Sequence, residues 1–234
     1  MEDPIRLLKL STLIAKKRGQ GTDFLIEGCG WGPFKTVLGK VLANRIVKKA
    51  SSITLRDEFP DFKISHAVKQ DPAFDYLRSV DKTKEGIYPE RISELIEDIS
   101  KEGKKTVAIN LRPIWNKFEE GEVIDAQFMT RLLDDIINSI PCEYRILYIP
   151  FNTDHYGFSD LDIVYSWQNT FVNERDVLII KEELATQDMI RLMTKIDYLI
   201  AMRFHACIFG SELGAKVYGL DYDLTKTKGK VQGL

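Results

Sequence analysis

Short apolar runs alternate along the chain with stretches whose apolar positions recur at helical spacing. A short apolar run bounded by turn formers reads as a strand, and a 3.6-residue repeat reads as a helix packed by one face. On that basis 24-FLIEGCGW-31 is a strand entering a glycine-rich turn, 34–50 is a helix, and 53-ITLRD-57 is a strand. The segment 66-HAVKQDPAF-74 reads as a further strand. Residues 75–90 are polar and contain Lys, Gly and Pro, which marks a linker. Ile92, Leu95, Ile96 and Ile99 then share one helix face, and Gly103 ends that helix. From residue 105 the pattern becomes strand and helix in strict alternation. The segment 105–115 reads as a strand followed by a Pro-containing turn, further strands are expected at 144–151, 176–181, 197–205 and 216–223, and helices at 126–140, 159–171, 185–196 and 206–213. Such continuously apolar strands separated by helices belong to a parallel, doubly wound α/β sheet. The leading segment 4-PIRLLKLSTLIAKK-17 is a basic amphipathic helix, read as packing on a sheet, with a membrane surface as the alternative.

Composition narrows the function classes. The formal net charge is −2, so nucleic acid is not the expected main partner, and any anion must be held by a local site. Cys29, Cys142 and Cys207 are three in number and read as reduced core thiols of a cytoplasmic protein. No CxxC pair or His/Cys cluster suggests a metal. No apolar run approaches the roughly 18 residues that a transmembrane helix needs.

In an open parallel sheet, ligands bind beyond the carboxyl ends of the strands. That rule selects the residues after each apolar run. Read as one strand, 197–205 would place Arg203 and His205 on the same face by alternation. Free N–H groups of residues 206–208, at the start of a helix, would lie nearby. An arginine fork and a helix N-terminus suit phosphate or carboxylate, and a histidine moves a proton near neutral pH. The alternative is that Arg203 pairs with an acid and His205 caps the helix. Arg112, closing 107-VAINLR-112, is a ligand or a surface arginine. Arg56 follows a strand too, although Asp57 and Glu58 beside it favour a structural ion pair. In 28-GCGWGPFK-35, Gly28, Gly30 and Gly32 allow close backbone approach and could wall a cleft. The spacing is neither that of a dinucleotide-binding fingerprint nor that of a Walker loop. Asp154 and His155 lie in the loop after the 144–151 strand, and Tyr222 and Asp223 follow the last strand. Asp71 is read as ending a strand and His66 as structural. Ser211 lacks the elbow of a hydrolase serine.

Taken in order, GCGWGP (28–33), ITLRDE (53–58), DPAF (71–74), INLRP (109–113), Asp154 and MRFHACIFGSELGAKVYGLDYD (202–223) resemble the polysaccharide pyruvyl transferase family. The R-x-H segment formed by Arg203, Phe204 and His205, with its Y-D tail, is the most specific piece. The resemblance implies Rossmann-like parallel sheets in a GT-B-like two-lobed arrangement. It also implies transfer of a pyruvyl group from phosphoenolpyruvate to a pair of sugar hydroxyls, giving a cyclic ketal. Arg203, Phe204, His205 and Arg112 would then meet the donor, with His205 and Arg203 as the reacting groups. Arg56, Gly30, Gly32, Asp154, His155, Tyr222 and Asp223 would line the cleft. No cofactor is expected beyond the donor itself.

The family's opening glycine-rich strand and helix are not found ahead of residue 4, and only Phe59 to Ser65 separate the RDE segment from His66. A truncated N-terminal lobe over 1–85 and a C-terminal lobe over 86–234 are therefore expected. Alternatives are a glycosyltransferase using a nucleotide sugar, or a non-catalytic, sugar-binding relative or fragment. The expected partner is a saccharide acceptor, free or lipid-linked. The expected location is the cytoplasm or the inner membrane face, and homo-oligomerisation is left open.

Overall fold

The structure is a computed structural model and describes residues 4–32, 34, 36–113, 117–119, 122–124, 126–153, 159–171 and 175–220. The chain divides into two compact units, 1–76 and 77–234.

In the first unit, helix α1 (Pro4–Arg18) is followed by β1 (Leu25–Cys29), α2 (Val37–Val47), β2 (Ser52–Leu55) and β3 (Ala67–Val68). The three strands form a parallel sheet in the order β1-β2-β3. Thr36 starts α2, its hydroxyl accepting from the Gly39 N–H at 3.0 Å, which satisfies one open donor of the first turn. α2 turns Leu42, Ala43, Ile46 and Val47 inward, and Val47 joins Ile53, Leu55 and Phe62 in a small core. α1 lies along α2, pinned where Lys49 Nζ donates to Ser11 O at 3.0 Å.

Helix α3 (Pro72–Ser79) spans the division between the units. Here the expected strand over 66–74 is corrected. The extended part is only Ala67–Val68, and Pro72 opens a helix. Asp71 accepts from the Ala73 N–H at 3.0 Å, so an aspartate followed by proline acts as a helix start. The irregular connection expected over 75–90 shrinks accordingly to residues 80–88.

The second unit contains α4 (Pro89–Ser100), β4 (Thr106–Asn110), a hairpin of β5 (Lys117–Glu119) and β6 (Glu122–Ile124), α5 (Ala126–Ser139), β7 (Arg145–Tyr148), α6 (Leu161–Thr170), β8 (Val177–Ile179), α7 (Thr186–Met193), β9 (Tyr198–Ala201), α8 (Phe204–Leu213) and β10 (Lys216–Gly219). The periodicity did not reveal the hairpin, whose strands are three residues each. Five strands form a parallel sheet in the order β10-β9-β4-β7-β8. β4 is its centre and is buried at every residue, as a strand covered on both faces must be. α5 packs on α6, and α4 and α8 pack on α7. This is a doubly wound Rossmann-like order, with the chain reversing direction across the sheet between β4 and β9. The core joins Val107, Ile109, Met129, Leu133, Ile146, Tyr148 and Trp167. α4 begins with Pro89 and is capped from a distant element: Asp188 on α7 accepts from the N–H groups of Ile87 and Tyr88 at 2.9 and 3.2 Å. No helix among the described residues is long and apolar enough to cross a membrane.

The cysteine expectation needs correction. All three thiols are free, but only Cys207 is buried; Cys29 and Cys142 are exposed. Cys29 falls on the outward phase of an alternating strand, and Cys142 lies in the turn after α5.

Candidate functional site

The strand order reverses between β4 and β9, and it is beyond the carboxyl ends of such neighbouring strands that open parallel sheets place their ligands. Their parallel register pairs Asn110 with Ala201, so Arg112 and Arg203 each stand two residues beyond the last paired position. Met202 N–H still donates to Asn110 O at 2.9 Å, carrying the pairing one residue further. The fold therefore brings two cationic side chains from distant sequence to the same end of adjacent strands.

Two details of the R-x-H segment depart from the sequence reading. β9 stops at Ala201, and Phe204 already begins α8. Arg203 is the residue that starts this helix, and its carbonyl accepts from the Cys207 N–H at 3.1 Å. Strand alternation therefore does not relate Arg203 to His205, and the donors of the first turn lie nearer Phe204 than 206–208. The cause is the glycine-free sequence Met-Arg-Phe-His-Ala-Cys, which can enter a helix as soon as the ladder ends. Phe204 and His205 occupy the exposed first turn, their ring centres 5.8 Å apart.

Arg203 is held by an acid. Its Nε donates to Asp160 Oδ1 and Oδ2 at 2.9 and 2.7 Å, and its Nη2 donates to Oδ1 at 2.5 Å. The Asp160 side chain is fully buried, whereas that of Arg203 is 21% exposed. Asp160 Oδ2 also accepts from the Phe151 and Asn152 N–H groups at 2.9 and 3.1 Å and from Asn110 Nδ2 at 3.2 Å. Asn110 Nδ2 donates in addition to Ile149 O at 2.9 Å. Tyr148 donates its hydroxyl proton to Asp160 O at 2.7 Å. Complete burial, followed by the nearby Asp160 charge, pushes the Tyr148 phenol well above its ordinary range, so it stays a donor. A buried carboxylate is tolerated only when its oxygens are satisfied this fully.

Sequence reasoning had not singled out Asp160, Asn110 or Tyr148. The available signal was 159-SD-160 directly before an apolar helix, which suggests a capping aspartate. Ser159 does accept from the Leu161 N–H at 3.2 Å, but Asp160 makes no capping bond and is turned toward Arg203 instead.

In the first unit, Arg56 faces two acids, with Nε 3.8 Å from Asp57 and Nη1 3.8 Å from Asp71. Asp71, not Glu58, is the second partner, because the start of α3 lies beside the end of β2. Gly28 has φ +59°, and an added Cβ would sit 2.3 Å from Pro72 Cδ. Gly30 lies against Arg56, where a Cβ would be 3.2 Å from Nη2. The close approach expected of the glycine turn is thus to Pro72 and Arg56. Gly32, also at positive φ, lies near the Phe34 ring. His66 Nδ1 donates to Ile64 O at 2.8 Å, and its ring stacks edge-on with Phe62. Asp154, His155, Tyr222 and Asp223 lie outside the described residues. Among the described residues, no group of three or more His, Cys, Asp or Glu side chains could hold a metal ion.

Comparison with known proteins gives three findings. No curated protein matches the sequence. A solved structure titled as the glycosyl transferase family 9 from Veillonella parvula DSM 2008 aligns at 14% identity and a TM-score of 0.37, covering 90% of this chain and 60% of that one. This chain thus spans less than two thirds of that structure's length. The family model for polysaccharide pyruvyl transferase matches residues 3–223, nearly the whole chain. By that match the chain belongs to the polysaccharide pyruvyl transferase family.

Proposed function

We propose that this protein transfers a pyruvyl group from phosphoenolpyruvate to two hydroxyls of a cell-surface polysaccharide or its precursor, releasing phosphate and leaving a ketal. The observation that carries the reading is the placement of Arg112 and Arg203 at level ends of β4 and β9, in a chain of this family. The donor carries a phosphate and a carboxylate, and two arginines from different strands supply separate donors for the two anionic groups. The chemistry needs no redox partner. A proton adds to the methylene carbon, a sugar oxygen attacks the adjacent carbon, and the first hydroxyl gives up its proton. The second hydroxyl then displaces phosphate at the same carbon, and its proton leaves with the phosphate. His205, exposed in the first turn of α8, is the group proposed to deliver or accept these protons. Phe204 beside it is proposed as an apolar wall for the methylene end. Arg56, Gly30, Gly32, Asp154, His155, Tyr222 and Asp223 are proposed as further substrate-binding residues. The acceptor is a saccharide, free or lipid-linked, handled at the cytoplasmic side.

Calorimetric titration with phosphoenolpyruvate tests this directly, with UDP and GDP as controls. The wild type is expected to bind the donor, and Arg203→Ala to lose about 2–4 kcal/mol of binding, the scale of one buried charge-assisted contact. Binding of a nucleotide but not phosphoenolpyruvate would replace this reading with a glycosyl transfer.

A further inference from the structure

We propose that Asp160 is a positioning residue that fixes Arg203 edge-on, so that only the outer edge of its guanidinium is presented to an anion. The geometry is chemically specific. A guanidinium offers two bidentate edges, one formed by Nε and Nη2 and the other by Nη1 and Nη2. Asp160 occupies the first edge completely. Nη1 makes no hydrogen bond among the described residues, and the Arg203 side chain keeps partial exposure while Asp160 keeps none. An arginine held in this way has lost the rotamer freedom that an exposed arginine would have to give up on binding.

Asp160 also sets where that edge lies. The same carboxylate accepts from Phe151 and Asn152 at the exit of β7 and from Asn110 at the end of β4. The Arg203 N–H leans on Asn110 Oδ1 at 3.4 Å. One buried carboxylate thus ties the ends of β7 and β4 to the guanidinium that follows β9. It has an electrostatic consequence too. The Asp160–Arg203 pair is neutral as a unit, so Arg203 contributes direction, and most of the compensating charge for a multiply charged donor has to come from Arg112 and other cations. The proposal deepens the donor-binding reading of these strand ends and rests on it for the identity of the anion, but not for the locking itself.

The test is a double-mutant cycle on the full chain with Asp160→Asn and Arg203→Ala, titrated with phosphoenolpyruvate and separately with inorganic phosphate. Thermal melting is followed for each variant. Asp160→Asn keeps the side-chain shape. It is expected to weaken anion binding about tenfold or more in the wild-type background and to have no further effect when Arg203 is already alanine. Additive losses would mean that Asp160 acts through the fold and not through Arg203, and would overturn the proposal, as would unchanged affinity in Asp160→Asn. If that variant does not fold, the wild type still decides. Its Arg203 Nε–H, assigned by loss of the signal in Arg203→Lys, should give a sharp ¹⁵N-coupled resonance that exchanges slowly with water. A resonance as labile as those of exposed arginines would overturn the lock. Arg203-dependent phosphate binding without phosphoenolpyruvate binding would remove the donor reading and leave this proposal standing. Binding of neither anion by the wild type would remove the proposal.

Discussion

At the scale of single residues, the positions with no tolerance are those where backbone and side chain are both constrained. Gly28 and Gly21 both have positive φ, but only Gly28 is crowded, by Pro72; nothing lies within 4 Å of a Cβ added at Gly21. Gly21→Ala should therefore cost only the left-handed backbone term, about 1 kcal/mol, and Gly28→Ala about 2–4 kcal/mol, because Pro72 has to move as well. Urea unfolding of both variants against wild type checks this, and equal effects would remove the packing argument. The same contrast explains what was legible at this scale. The need for glycine in 28-GCGWG-32 could be read from the residue type, because few other residues accept that backbone. The partners of Arg56 and Arg203 could not. Asp71 and Asp160 approach them across 15 and 43 residues of chain, and an ion pair leaves no periodic trace in a sequence.

At the scale of elements, periodicity located most helices to within a few residues, because each buries one stripe of side chains on a sheet. It failed where the ends were decided by contacts from elsewhere. α4 begins where it does with help from Asp188, a fully buried side chain on α7 that accepts from two N–H groups ahead of Pro89. Gly86 makes room for it, since a Cβ there would fall 1.8 Å from Asp188 Oδ1. Asp188→Ala should remove the cap and leave two partly buried N–H groups without their carboxylate acceptor, costing about 1 kcal/mol. Hydrogen exchange provides the local readout. The first-turn amides of α4 should lose protection before those of α5, and an even loss across the unit would argue against a local cap. The strand expected over 66–74 fails for a related reason. Its apolar residues straddle a helix start, and Asp71-Pro72 reads equally well as a strand end until the Ala73 contact is seen.

At the scale of the whole molecule, burial of ionisable groups ties stability to alkaline pH. Burial raises the Cys207 thiol from 9.0 to about 11. The folded chain holds that proton more tightly than the unfolded chain does. Its contribution is therefore intact below pH 9 and is lost as pH rises from 9 to about 11, on the order of 2–3 kcal/mol. Tyr148, raised by burial and by Asp160, acts in the same direction above the ordinary tyrosine range. Urea midpoints measured between pH 8 and pH 11 should fall, and Cys207→Ala should flatten the first part of that decline. A decline unchanged by Cys207→Ala would assign it to other groups. The sequence by itself determined the α/β class, the parallel strands and the strand-end positions of Arg112 and Arg203, because burial on two faces leaves continuous apolar runs whose ends can be read directly. Only the tertiary structure decided that β4 and β9 are neighbours, that the helix starts at Phe204 instead of after His205, and that Asp160 holds Arg203. Those outcomes depend on which strands pair and which buried charges meet, and such long-range choices are made by packing, not by local pattern.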